Sequence, residues 1–117
     1  MTAGSIINYA DRTRPNLVSY ETKLNWLYTI EKKIADHMNR FSNHKITHEF
    51  PEESTPLLLG KEYKDMYAYY IVCMTDLANQ DIAMYNNSCA YFNELFDSWR
   101  KKWRRENTPA THMGGDI

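Results

Sequence analysis

Glycine and proline are scarce in this chain of 117 residues and occur at only a few positions. Neither residue type occurs within residues 16–50 or within residues 61–108. Because glycine costs about 1 kcal/mol and proline about 3 kcal/mol in a helix interior, these two windows permit long helices. Gly60 is the only glycine between residues 5 and 113, which excludes the glycine-rich loops that hold phosphate groups.

The chain also has few cysteines, no long apolar run and no excess of charge of one sign. Cys73 and Cys89 are too few for a disulfide framework, and beside six methionines they favour a reducing environment. No stretch approaches the roughly 20 apolar residues of a membrane span, and residues 1–5 lack the pattern of a secretion signal. The net charge of −1 argues against a dedicated nucleic-acid-binding domain. We therefore expect one soluble, unsecreted domain with no membrane contact.

The spacing of apolar residues in the first window predicts a helix that Ser19 caps. Its apolar stripe recurs at steps of three and four residues and consists of Leu24, Leu27, Ile30, Ile34, Met38 and Phe41. Trp26 lies beside this stripe, so it either widens the buried face or contacts another subunit. A short helix over residues 5–11 precedes this one and ends ahead of Pro15, because a residue before proline avoids helical backbone.

In the second window the helical spacing of apolar and aromatic residues continues without a change of phase. A single helix of about 45 residues would be about 68 Å long, which exceeds the diameter of a domain of this size. We therefore expect a kink or a turn in this long aromatic-rich helix. Two polar stretches are candidates, residues 79–81 and residues 86–88, and the sequence does not decide between them.

The segment between the two windows mixes polar residues with two prolines and predicts a loop over residues 42–60. A short strand over residues 45–50 is a weaker alternative. These patterns predict an all-α fold, a small bundle of three to four helices that occupies residues 1–105. A flexible C-terminal tail is expected over residues 106–117.

The sequence offers little catalytic or metal-binding chemistry. His37, His44 and His48 lie within twelve residues, yet they lack the paired spacing of zinc ligands, so we predict no metal and no cofactor. No nucleophile motif and no pair of carboxylates on one rigid face is recognisable, so we predict no catalytic residue and no enzyme. Cys73 and Cys89 lie on or beside the apolar stripe and are expected to be buried structural thiols.

Two features exceed what a monomeric helix needs. Five of the six residues 100–105 are cations, more than a helix end requires, so they contact phosphates, contact an acidic protein surface, or cap the helix. The aromatic residues of the second window include Tyr69 and Tyr91, which lie beside the main stripe. Because tyrosine and tryptophan are common at protein interfaces, we predict a subunit interface at Trp26, Tyr69 and Tyr91. A fully packed monomer is the alternative.

Several short motifs follow one another along the chain in an order that is typical of one protein family. Those of the first half are Ile6-Ile7-Asn8-Tyr9-Ala10-Asp11, Arg14-Pro15-Asn16, Ser19, Lys23, Trp26-Leu27 and Glu31. Those of the second half are Pro56-Leu57-Leu58-Leu59, Tyr63-x-x-x-Tyr67-x-Tyr69-Tyr70, Met74-x-Asp76-x-Ala78-Asn79, Tyr85-Asn86-Asn87, Phe92-Asn93, Phe96 and Trp99. In order and spacing the chain resembles the head-tail connector, or neck adaptor, proteins of tailed bacteriophages that infect Gram-positive bacteria. The likeness covers about residues 5–105.

The resemblance implies a helical homo-oligomer, a ring of commonly twelve subunits, made in the host cytoplasm and placed in the virion neck beneath the portal protein. The ring would extend the channel for genomic DNA without sequence-specific binding, and it would dock the next neck or tail-completion protein. It also implies a C-terminal segment that docks on the portal, here Trp99, Lys101, Lys102, Trp103, Arg104 and Arg105. Gln80 stands where many relatives have glycine, which favours a continuous or gently bent helix there.

Two other classes of function compete with this prediction. The first is a monomeric or dimeric helical adaptor module that binds a partner peptide through its aromatic edge. The second is a helical nucleic-acid-binding protein. For the connector, we expect the basic run to face the portal and not the DNA channel, because each cation in contact with phosphate would slow the passage of DNA.

Overall fold

A computed structural model describes residues 1–43 and 45–107 of the chain. Its four helices are α1 (Ala3–Thr13), α2 (Tyr20–Arg40), α3 (Lys64–Ala78) and α4 (Ile82–Asn107), and a short 3₁₀ turn at Lys61–Tyr63 precedes α3. The prediction of an all-α fold is confirmed. Among the described residues the sole pairing of extended backbone is an isolated bridge between Thr2 and Pro56, and no strand forms at residues 45–50.

Polar side chains cap the first turns of α1 and α2, Thr2 at the start of α1 and Ser19 at the start of α2. The hydroxyl of Thr2 accepts from the backbone of Ser5, and the hydroxyl of Ser5 accepts from the backbone of Thr2, so α1 starts with a capping box. The hydroxyl of Ser19 accepts from the backbone nitrogen of Thr22 at 3.1 Å. The predicted cap of α2 is confirmed.

The apolar stripe of α2 packs into the core as its spacing predicts. Four members of the stripe are buried, namely Leu27, Ile30, Ile34 and Met38. Leu24 and Trp26 are partly buried against the same core, so Trp26 widens the buried face of its own chain. The core is completed by apolar residues of α1 and α3, among them Ile6, Ile7, Met66 and Ile71.

The second window forms two helices with a sharp turn between them, which corrects the expectation of a continuous or gently bent helix at Gln80. Gln80 has a φ of 58°, in the left-handed region that favours glycine. The backbone nitrogen of Gln80 donates to Leu77 and that of Asp81 donates to Asp76, so free carbonyls at the end of α3 find partners. The carboxylate of Asp81 then accepts from the backbone of Met84 in the first turn of α4.

The turn at residues 79–81 makes α3 and α4 an antiparallel hairpin, and the other candidate stretch, residues 86–88, lies inside α4. A buried carboxylate joins this hairpin to the end of α1. Asp76 accepts from Nε of Arg14 at 2.8 Å and from the hydroxyl of Ser88 at 2.8 Å. The hydrogen bond from Ser88 fixes the register of α4 against α3, and the ion pair with Arg14 fixes the end of α1 against α3.

The segment before α3 is a loop, as predicted, and it runs back along α2. The side-chain amide of Asn39 exchanges two hydrogen bonds with the backbone of Ile46, at 2.7 and 2.9 Å, near the end of α2. Further along the loop, Phe50 packs on the ring of Tyr28. The buried carboxylate of Glu31 accepts from the backbone of Leu58 at 2.9 Å, which fixes the far end of the loop.

α4 continues to Asn107, two residues past the predicted end of the helical domain at residue 105. The remaining residues of the predicted tail, 108–117, lie outside the described residues. Within residues 1–43 and 45–107, no helix combines the length and the apolar character that crossing a membrane requires.

Candidate functional site

α4 is the least covered of the four α-helices in the described part of the chain. Of its 26 residues, only Ser88, Phe92 and Trp99 are buried, although the helix is about 39 Å long at 1.5 Å per residue. The buried side chains form a narrow stripe toward α3 and α2. Most of the surface of α4 is therefore accessible for contacts with other molecules.

A row of aromatic rings holds the C-terminal half of α4 against the core. Ring centroids are 5.5 Å apart for Phe92 and Phe96, 5.7 Å for Phe96 and Trp99, and 6.3 Å for Trp99 and Trp103. Tyr70 of α3 packs on Phe92 at 5.1 Å. These spacings are in the range of favourable aromatic pairs, so the rings stabilise the helix to its basic end.

Two members of the predicted portal-docking segment face their own chain. Trp99 is 3% exposed and Trp103 is partly buried against the core. Both tryptophans position α4 and offer little surface to a partner. The exposed members of the segment are four cations, Lys101, Lys102, Arg104 and Arg105. Portal docking therefore stays a prediction that depends on these cations.

A concave surface lies between the C-terminal halves of α2 and α4, which we call the basic cleft. It comprises two adjoining hollows of about 210 and 330 Å³. Five cations and two carboxylates line it, and three rings lie among them: Lys33, Arg40, Arg100, Lys101, Arg104, Asp36, Asp97, His37, Phe41 and Phe96. The cations outnumber the carboxylates, so the cleft suits an anionic ligand.

Ring and ion contacts position two of the guanidinium groups in the basic cleft. Arg100 lies over the ring of Phe96 at 5.0 Å and forms an ion pair with Asp97. Arg104 lies over the ring of Phe41 at 5.5 Å. Within the described residues, Lys33, Arg40 and Lys101 make no ion pair. These three side chains are available to an anion without the loss of an existing salt bridge.

His37 lies at the base of the basic cleft and connects α2 to α4. Its Nε2 donates to the backbone carbonyl of Arg100 at 3.1 Å, and its ring packs on Trp99 at 5.2 Å. Burial lowers the pKa of His37, and the positive charges of Arg100, Arg104 and Arg40 lower it further, against the opposing effect of the hydrogen bond. The lowered pKa of His37 thus comes mainly from burial, and the positive potential of the basic cleft adds to it.

The sequence identified the α4 side of the basic cleft and missed the α2 side. Lys33, His37 and Arg40 are separated by four and three residues, a spacing that places them on one helix face. That spacing is a usable signal, but it does not say which helix the face meets. The hydrogen bond that connects α2 to α4 here joins His37 to Arg100, which lie 63 positions apart in the sequence.

Tyr69 and Tyr91, which the sequence placed at a subunit interface, contact each other within the chain. Their rings pack edge to face with centroids 4.7 Å apart across α3 and α4. Tyr91 is nevertheless 40% exposed, so part of the pair is accessible. The role of Trp26, Tyr69 and Tyr91 in an interface stays a prediction.

The three histidines considered as metal ligands do not form a cluster in the described part of the chain. His37 packs on Trp99, His48 packs on the ring of Tyr28 at 5.0 Å, and His44 lies outside the described residues. Among residues 1–43 and 45–107, no group of three histidines, cysteines or carboxylates is suited to hold a metal ion. Cys73 is buried, as predicted, and burial raises the pKa of its thiol to about 12, whereas Cys89 is half-buried.

Comparisons of the chain with protein-family models, with curated proteins and with solved structures found no match.

Proposed function

We propose that this chain is a structural head-tail connector of a tailed phage, which forms a ring below the portal and docks the next neck or tail component. The order of motifs over residues 5–105 is the basis for the family. The observation that carries the proposal is the exposure of α4, a helix of 26 residues with three buried. The outer face of this helix is therefore open to contacts with neighbouring subunits and with the portal.

The two ends of α4 differ in chemistry, which suits a protein that joins two partners. At the hairpin end, Leu77 and Ile82 are 42% and 59% exposed. At the other end lie the exposed cations of residues 101–105 and the basic cleft. An end with two exposed aliphatic side chains and a basic end about 39 Å apart give the domain two distinct contact surfaces.

The test is the mass of the assembly, measured by native mass spectrometry on the chain alone and on the chain mixed with a candidate portal ring. The proposal expects a ring, or a stoichiometric complex with the portal. Lys102→Glu together with Arg105→Glu is expected to abolish the portal complex, because both cations are exposed at the basic end and neither lines the basic cleft. Lys32→Glu together with Lys61→Glu is the matched control, with the same change of charge at exposed positions elsewhere.

Two results would contradict the connector. A stable monomer that ignores the portal would favour the adaptor module that binds a peptide. A salt-sensitive affinity for duplex DNA, lost when Arg104 and Arg105 are changed to alanine, would mean that the basic end contacts phosphates and would favour a nucleic-acid-binding protein.

A further inference from the structure

The loop that runs along α2 has a short acidic segment, residues 49–53, which we call the acidic loop. Its sequence is Glu49-Phe50-Pro51-Glu52-Glu53, with three exposed carboxylates and no cation. Phe50 is 47% exposed, while Pro51 is buried and anchors the segment. Within the described residues, none of the three glutamates makes an ion pair.

Backbone hydrogen bonds hold the acidic loop in a fixed shape. The carbonyl of Glu53 accepts from the backbone nitrogen of Gly4 at 2.9 Å. The backbone nitrogen of Glu52 donates to the hydroxyl of Thr55 at 2.8 Å, and the nitrogen of Thr55 donates back to the carbonyl of Glu52. The carboxylates are thus presented from ordered backbone, which lowers the entropy cost of docking.

The acidic loop and the basic cleft lie on opposite faces of α2. His37 faces α4, whereas Tyr28 and Asn39 face the loop through Phe50 and Ile46. At about 100° per residue, Tyr28 and Asn39 are each about 160–180° around the helix from His37. The body of α2 therefore separates the two surfaces within one chain. Two complementary surfaces on opposite sides of a subunit are what a head-to-tail contact requires.

The two surfaces are complementary in charge and in apolar character. Within the described residues, Lys33, Arg40 and Lys101 of the basic cleft form no ion pair. The three carboxylates of the acidic loop form none either. Guanidinium groups bind carboxylates through paired hydrogen bonds. The rings of Phe41 and Phe96 line the cleft and match the exposed ring of Phe50.

We infer that the basic cleft of one copy of this chain binds the acidic loop of a second copy. The contact rests on the proposed function, since it is the subunit contact of the connector ring, and it specifies which surfaces meet. Glu49, Glu52 and Glu53 lie against the cations of the cleft, and Phe50 packs on the rings of Phe41 and Phe96. Because each copy has both surfaces, the contact repeats from one subunit to the next.

Two reciprocal variants test this contact. The cleft variant is Arg40→Glu with Lys101→Glu, and the loop variant is Glu49→Lys with Glu52→Lys; all four side chains are exposed. Each variant alone would place like charges in contact, so its self-association is expected to weaken by about tenfold or more. An equimolar mixture restores opposite charges at both contacts, so it is expected to assemble in even-numbered species in which the two variants alternate.

Association is measured by sedimentation velocity and native mass spectrometry, in free solution and on the portal ring, with circular dichroism as the check that each variant is folded. For weak association, the amide signals of labelled wild type around His37 are followed by NMR. They are expected to shift when unlabelled wild type is added and to stay unchanged with the loop variant. The control, Lys32→Glu with Lys61→Glu, is expected to assemble as the wild type does.

The outcomes separate this contact from the proposed function. If both variants alone assemble like the wild type, the contact is wrong and the connector ring stands. If the wild type assembles neither alone nor on the portal, and its NMR signals do not shift, both are wrong. If duplex DNA binds the wild type and the loop variant but not the cleft variant, a phosphate backbone occupies the cleft and the inference is overturned.

Discussion

α3 and α4 are neighbours in sequence with the same apolar periodicity, yet the molecule covers them very differently. Nine of the 15 residues of α3 are buried, against three of the 26 residues of α4. α3 lies at the centre and packs against α1, α2 and α4, whereas α4 packs mainly against α3. Periodicity shows that a segment is helical and has an apolar face. It does not show how many neighbours the helix has.

The difference assigns the two helices different tasks. α3 holds the fold together, and its polar residues serve that purpose: Asp76 joins Arg14 to Ser88, and Tyr67 donates to the buried carboxylate of Glu31 at 2.5 Å. α4 contributes a narrow buried stripe, and its ends and outer face are exposed. Changes in α3 are thus expected to affect stability, and changes in α4 are expected to affect assembly.

The largest expected effect contrasts two isoleucines, one in each helix. Ile71→Ala in α3 removes a fully buried side chain and is expected to lower the free energy of unfolding by about 2–5 kcal/mol. Ile82→Ala in α4, where the side chain is 59% exposed, is expected to change it by about 0.5 kcal/mol or less. Urea unfolding followed by circular dichroism measures both. Equal losses would remove the distinction between the two helices.

The next effect concerns the buried carboxylate that joins the helices. Asp76→Ala removes the partner of Arg14 and of Ser88, and the expected loss in the free energy of unfolding is about 2–3 kcal/mol. This is less than for a fully buried ion pair, because the side chain of Arg14 is partly exposed. Ser88→Ala removes one hydrogen bond and is expected to cost about 1 kcal/mol. The same unfolding series measures both, and a larger loss for Ser88→Ala would refute the assignment of Asp76 as the joining residue.

At the turn between the helices, a substitution is expected to stabilise the protein. Residue 80 has a left-handed backbone conformation with a φ of 58°, which glycine adopts without the strain that a side chain causes. Gln80→Gly is therefore expected to raise the free energy of unfolding by about 0.5–1 kcal/mol. Gln80→Val, with a β-branched side chain, is the matched change and is expected to lower it. Thermal unfolding of the three proteins tests the turn, and a gain from valine would mean that the helices continue through this point.

The smallest effect is a pH dependence at the contact between α2 and α4. Burial lowers the folded pKa of His37, so the unfolded chain binds a proton first as pH falls through the ordinary histidine pKa of about 6.5. The contribution of His37 to stability is therefore present above that pH and is lost below it. His37→Gln retains an N–H donor for the carbonyl of Arg100 and is expected to lack this loss. A pH series of unfolding midpoints compares the two proteins, and parallel curves would contradict the lowered pKa.

The parts of the fold that were predicted from sequence depend on local signals. Capping chemistry predicts the cap at Ser19, and the 3.6-residue period predicts the buried stripe of α2. The two prolines of the segment before α3 predict the loop. The place of the turn in the second window did not follow, because neither glycine nor proline marks residues 79–81 and the left-handed conformation falls on Gln80. The hydrogen bonds that close the end of α3 join backbone atoms, which the sequence pattern does not reveal.

The candidate site was predicted only in part, for a different physical reason. The cations of residues 100–105 stand out by composition, but Lys33, His37 and Arg40 form the basic cleft only because α2 packs beside α4. Trp99 and Trp103 were grouped with these cations by proximity in sequence, whereas helical geometry turns the two rings toward the core. Proximity in sequence along a helix therefore grouped side chains that the fold places on different surfaces.

In the proposed connector, neighbouring subunits and the portal cover the surface left open on α4 and beside α2. The decisive measurement is native mass spectrometry of the chain mixed with a candidate portal ring. We expect a complex in which copies of this chain add to the portal in a fixed ratio. The complex is expected to be lost on Lys102→Glu with Arg105→Glu and retained on Lys32→Glu with Lys61→Glu. A monomer that leaves the mass of the portal unchanged would refute the connector.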